Sequence, residues 1–209
     1  MSDSETAASR AVEFVEIAHG EGDGQRQRLE FAWVGATTSP LPPVVFLHEG
    51  LGSVSMWKDF PARFCAAHGL RGLVYSRRGY GRSTPRAPDE RWGIDFMHVQ
   101  ADQALRRLLD AVGIARPWLF GHSDGASIAL LYAARHPSAG VIAVAPHVFV
   151  EDVALASIEA ARRAYELGDL RQRLARHHAD PESAFRGWND AWLDPAFRAW
   201  NIERDIASI

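Results

Sequence analysis

Four short apolar runs punctuate the chain at residues 44–47, 70–75, 117–120 and 140–145. Runs this brief, with little polar alternation, read as strands buried on both faces. Helical patterns fill the gaps, at 56–67, 95–112 and 123–135. In the second of these, Val99, Leu105, Leu108, Leu109 and Val112 are assigned to one face, with Gly113 as the stop. Strand alternating with helix predicts a mostly parallel sheet with helices on both faces. Ahead of it, 11–18 and 28–35 read as a hairpin joined at Gly20-Glu21-Gly22-Asp23-Gly24, and residues 1–10 as a loose tail. After Pro146 the strand signals stop. Residues 149–167, 170–178, 181–192 and 195–206 read as helices rich in aromatic side chains. The expected division is an α/β core over 1–147 and a helical lid over 148–209.

With 209 residues, 47% hydrophobic and a net charge of −3, the chain suits one globular domain rather than a nucleic-acid binder. No apolar stretch is long enough for a membrane span, and residues 1–6 lack the pattern of a secretory leader, so a cytoplasmic protein is expected. A lone cysteine, Cys65, excludes an internal disulfide and reads as packing. No metal site and no cofactor requirement emerge; His177-His178 has no ligand-like spacing and reads as lid surface.

The chemistry concentrates in Gly121-His122-Ser123-Asp124-Gly125, which follows an apolar strand and opens an apolar helix. A sharp strand-to-helix turn there strains the serine, exposes its hydroxyl, and requires glycine on both sides. Ser123 is the candidate nucleophile. Acyl transfer needs two N–H donors for the oxyanion. One is assigned to Asp124 and the other to Gly50, in Leu47-His48-Glu49-Gly50-Leu51-Gly52, with Leu51 as the fallback.

These segments resemble the α/β-hydrolase superfamily over about residues 28–147. The loop after the first buried strand resembles its His-Gly-Gly-x-Gly-Ser type, with Glu49 in place of the first glycine. Ser76-Arg77-Arg78-Gly79-Tyr80-Gly81-Arg82-Ser83 resembles its Asp-x-Arg-Gly-x-Gly-x-Ser turn, with Ser76 replacing the aspartate. The resemblance implies an α/β-hydrolase fold and a serine hydrolase acting on a small ester-like substrate. It also implies that His48 and His122 support the loop and elbow. Arg77-Arg78 reads as a turn with one solvated charge, and Glu49 as a surface or structural residue.

Family members carry the acid and the catalytic histidine on strands beyond the lid, and no such strands are evident here. The expectation is therefore a part of a longer protein, lacking the C-terminal strands, with very low turnover. Substitutes within the chain rank below that reading: Glu151 or Asp152 as acid, His147 as base. An apolar edge at 140–145 would favour edge-to-edge homodimers or aggregation. A non-catalytic ligand-binding or interaction protein on the same fold is the alternative function.

Overall fold

The computed structural model describes residues 11–20 and 24–209. The expected tail at 1–10 and the tip of the first turn, 21–23, lie outside them. Among the described residues six strands form one sheet: β1 (Glu13–Ala18), β2 (Arg26–Gly35), β3 (Val44–Leu47), β4 (Arg71–Tyr75), β5 (Trp118–His122) and β6 (Gly140–Val144). Their order is β1-β2-β4-β3-β5-β6. The β1–β2 and β2–β4 pairs are antiparallel, and β4–β3, β3–β5 and β5–β6 are parallel.

The apolar runs build two layers because successive side chains leave a strand on opposite faces. Val45, Leu47 and Leu119 join the cluster formed with Leu105, Leu108, Ile128 and Leu131 on one side. Val44, Phe46 and Phe120 face Cys65 and Phe64 on the other. The second layer is α1 (Phe60–His68). The first contains α2 (Phe96–Val99), a π-helical stretch (Gln100–Leu105), α3 (Arg106–Ala111) and α4 (Asp124–Arg135). The lid comprises α5 (Asp152–Leu167), α6 (Leu170–Leu174), α7 (Pro181–Trp192), a 3-10 turn (Pro195–Ala199) and α8 (Glu203–Ile206).

Several expected boundaries are corrected. The helix read over 56–67 is split: a 3-10 turn (Val54–Trp57) ends at Lys58, whose φ is +51°, before α1 begins. Val99 is exposed rather than on the apolar face. The π-helical stretch that follows it has a wider turn, so a residue before the stretch falls out of phase with Leu105 and Leu108 after it. Phe149 is not helical; it forms an antiparallel bridge with Asn201. That bridge also interrupts the helix read over 195–206, and α6 stops at Leu174 instead of reaching His178. Strand β6 pairs with β5 along one edge, and its end is exposed, with Val144 at 41%.

Candidate active site

Strands β3 and β5 run parallel with Leu47 opposite Gly121, so the residues after each strand emerge side by side. Ser123 is the N-cap of α4, with φ +52° and ψ −123°. That conformation is sparsely populated for a side-chain-bearing residue and persists only where its surroundings enforce it. Here the enforcement is close packing. A Cβ on Gly121 would lie 2.4 Å from Ala126 Cα, and one on Gly125 would lie 2.2 Å from Leu47 O. The elbow is therefore wedged under the β3 loop, and glycine is the residue that fits at both positions. Asp124 opens the helix, so its N–H has no carbonyl partner one turn back and points out of the helix start.

The Gly50 loop is held from beneath by Arg77, which is buried. Its Nη1 donates to His48 O (2.5 Å), its Nη2 donates to Glu49 O (3.1 Å), and its guanidinium stacks over the Tyr80 ring. His48 is fully buried beside it. Its Nε2 accepts from Arg77 N–H (3.1 Å), which leaves Nδ1–H to donate to Glu49 O (2.7 Å). Burial, reinforced by the Arg77 charge, lowers the His48 pKa well below the ordinary histidine value, so the ring is neutral. Arg78 is also buried, in a two-pronged pair with Glu90 (2.5 Å each). The expected solvated turn at Arg77-Arg78 is thus corrected: carbonyls at one residue and a carboxylate at the other draw both guanidinium groups inward.

Position 76 lacks the aspartate that the resemblance leads one to expect, and a carboxylate arrives from β2 instead. Buried Glu30 accepts from Ser76 Oγ–H (2.8 Å) and from Arg82 N–H (2.9 Å) through Oε2.

The lid closes on these loops through α7 and the residues before it. The Trp188 indole packs on Gly50, where a Cβ would meet its Nε1 at 2.1 Å. Trp192 Nε1–H donates to Asp124 Oδ2 (3.4 Å). His178, expected at the lid surface, is buried: its Nδ1 accepts from Gly81 N–H (2.9 Å) and its Nε2–H donates to Leu51 O (3.0 Å). Burial takes its pKa down to about 4. Asp124 is buried too, and burial raises its carboxyl pKa against the opposing pull of Arg77 and His147.

His122 is half-exposed, with Nδ1 3.7 Å from Glu49 Oε2. His147, ranked low in the sequence, lies close to Ser123: its Nε2 is 3.3 Å from Ser123 Oγ. Its Nδ1 is 3.8 Å from Glu151 Oε2. Asp152 pairs instead with Arg198. The low ranking arose because a residue five positions before a helix reveals nothing of its direction in sequence. The turn after β6, with Ala145 at φ +49°, sets that direction.

A β-strand order with one long parallel segment, a strained serine between β5 and α4, and a glycine-bearing loop beside it together define a hydrolase-type α/β architecture. The chain belongs to the alpha/beta hydrolase fold family, whose profile matches residues 42–207. Over 98 residues it is 39% identical to a proline iminopeptidase of Xylella fastidiosa, covering 46% of this chain and 28% of that one. Over 97 residues it is 33% identical to a bifunctional esterase/perhydrolase of Acinetobacter calcoaceticus, covering 46% and 33%. Among solved structures, one described with carboxylesterases of Nitrososphaera gargenis superposes with a TM-score of 0.66 at 18% identity, covering 91% of this chain and 74% of that one. The chain thus aligns with a third or less of these curated relatives' length. Among the described residues no helix is long and apolar enough to cross a membrane.

Proposed function

We propose that the protein is a serine hydrolase that cleaves a small ester or related acyl compound through an acyl-enzyme on Ser123. Ser123 Oγ attacks the carbonyl carbon, and the N–H groups of Asp124 and Gly50 receive the oxyanion. Loss of the alcohol leaves the acyl-enzyme, and water then releases the acid. One observation carries the reading: Ser123 is held at φ +52° at the start of α4, wedged against the loop that presents Gly50. Glycine at that loop position lets the Trp188 indole lie directly against the backbone, and Arg77 fixes the loop's direction from below. Preorganised donors of this kind are worth about 10²–10³-fold each in rate.

The relatives support an acyl-transfer chemistry, since an esterase and a peptidase are among them by name. Turnover is slow in this reading, because among the described residues no carboxylate stands within hydrogen-bond distance of the imidazole next to Ser123.

A fluorophosphonate probe tests the nucleophile. Attack by Oγ on phosphorus expels fluoride and leaves a covalent adduct. The wild-type chain labels at Ser123, and Ser123→Ala loses the labelling entirely while keeping its circular dichroism spectrum. A folded wild-type chain that takes up no probe would overturn the enzyme assignment in favour of ligand binding without catalysis.

A further inference from the structure

A hydroxyl is a weak nucleophile until a base takes its proton. The geometry points to His147 as the general base for Ser123, with Glu151 as the carboxylate that orients it, both supplied by the segment directly after β6. This inference rests on Ser123 being the nucleophile.

Four observations carry it. First, His147 Nε2 is 3.3 Å from Ser123 Oγ, just beyond an ordinary hydrogen bond and within the looser range of unliganded catalytic pairs. Second, the His147 backbone is fastened to the elbow helix. Its N–H donates to Ser127 Oγ (2.9 Å), and Ser127 Oγ–H donates to its carbonyl (2.6 Å). Because Ser127 lies one turn past Ser123 on α4, base and nucleophile share one rigid support.

Third, the chain is bent to achieve this. Ala145 adopts φ +49°, a strained value for alanine, at the end of β6, just as Ser123 does at the end of β5. The two strands are paired, and Ser123 N–H donates to Val144 O (2.9 Å), so the two strained turns lie side by side. Fourth, the ring is gripped but not consumed. Trp192 packs edge-on against it at 4.7 Å, and its Nδ1 is buried without a hydrogen-bond partner. The carboxylate facing that nitrogen is Glu151, 3.8 Å away and half-exposed at the N-cap of α5. Its approach by about 1 Å would bring it within normal N–H···O range.

The proton path balances. As the Oγ–carbon bond forms, the Ser123 proton passes to His147 Nε2, and Nδ1–H stays directed at Glu151. Collapse of the oxyanion breaks the bond to the leaving alkoxide, which takes the proton from Nε2. Water then attacks the acyl carbon and gives its proton to Nε2, and that proton returns to Ser123 Oγ as the acid departs.

Two acidic groups bear on the ring: Glu151 at Nδ1 and Asp124 on α4, the latter itself influenced by Arg77. Glu151 is the accessible one, which makes Glu151→Gln the gentler variant. The experiment measures second-order rates of fluorophosphonate labelling at Ser123 for the wild type, His147→Gln, His147→Ala and Glu151→Gln, with Ser123→Ala as the blank. General-base removal predicts a loss of about 10²–10⁴-fold for both His147 variants. It also predicts a smaller loss for Glu151→Gln and partial recovery of His147→Ala on adding free imidazole, which a packing role for the ring would not give. If the His147 variants label at the wild-type rate while Ser123→Ala stays blank, the base assignment falls and the nucleophile stands. Slow labelling that imidazole leaves unchanged, with Glu151→Gln at the wild-type rate, likewise overturns it.

Discussion

The loops that follow β3 and β4 and the segment that follows β6 flank the same serine, yet they differ in how fully their polar groups are paired. Around the first two, His48, His178, Arg77 and Glu30 are buried and each is engaged by backbone or side-chain partners. After β6, His147 contacts Ser123 at the edge of hydrogen-bond range and leaves one ring nitrogen without a hydrogen-bond partner. Satisfied buried networks are rigid and costly to disturb, while an unsatisfied polar group is a reservoir of strain or reactivity. In the proposed reading the β3 and β4 loops hold the oxyanion donors in place, and the β6 segment supplies the base. Two buried histidines near a serine do not make two bases, and hydrogen-bond accounting is what separates them from the third.

The contrast breaks most sharply at Arg77. Arg77→Met keeps the length of the side chain and removes both N–H donors from His48 O and Glu49 O. It also strips the balancing charge from buried Asp124. Charge-assisted hydrogen bonds contribute about 1.5–3 kcal/mol each, so the loss is about 3–5 kcal/mol in urea unfolding. Labelling of Ser123 falls in the surviving folded fraction, because the Gly50 loop loses its support. A stability change below about 1 kcal/mol would mean that the loop is self-supporting.

The second prediction uses pH. In the unfolded chain His178 titrates near 6.5, and in the fold burial takes it to about 4. Between those values the unfolded chain binds a proton that the folded chain refuses. The stabilisation from keeping His178 neutral is complete above pH 6.5 and drains away as pH falls toward 4, by about 3 kcal/mol in all. His48, lowered by burial and Arg77, acts in the same direction. His178→Gln retains one donor and one acceptor but no titration, so its stability declines less than that of the wild type over this window. Parallel pH profiles for the two chains would refute the burial argument for the lid contact.

Much of this architecture was legible in the residues themselves. Runs such as Val44-Val45-Phe46-Leu47 are apolar at every position, and only a strand covered on both faces tolerates that. Ser123 was legible because the elbow's sterics are written into its neighbours: Gly121 and Gly125 stand where any Cβ would strike backbone. The remainder depends on partners that sequence spacing does not encode. Arg77 looked like a turn charge because its acceptors are main-chain carbonyls, common to every residue. His178 looked exposed because its two partners, Gly81 and Leu51, are backbone groups of distant loops. His147 gained its position from the bend at Ala145, a residue type that carries no turn signal. Val99 was misplaced by a change of helical pitch, which an assumed 3.6-residue period conceals.

The smallest expected effect comes from Glu49, the residue that stands where the resemblance places a glycine. Its carboxylate reaches toward His122 Nδ1 at 3.7 Å, and both side chains are partly exposed, 32% and 45%. Solvent screens a pair at that separation and exposure, so Glu49→Gln changes stability by less than about 1 kcal/mol. Its backbone carbonyl, which accepts from Arg77 and His48, is untouched by the substitution. Labelling of Ser123 by a neutral fluorophosphonate should accordingly stay close to wild type. A marked rise would show that the carboxylate opposes negative charge developing at the oxyanion position. The β3 loop would then tune the reaction as well as support it, and the division of labour between the two regions would have to be redrawn.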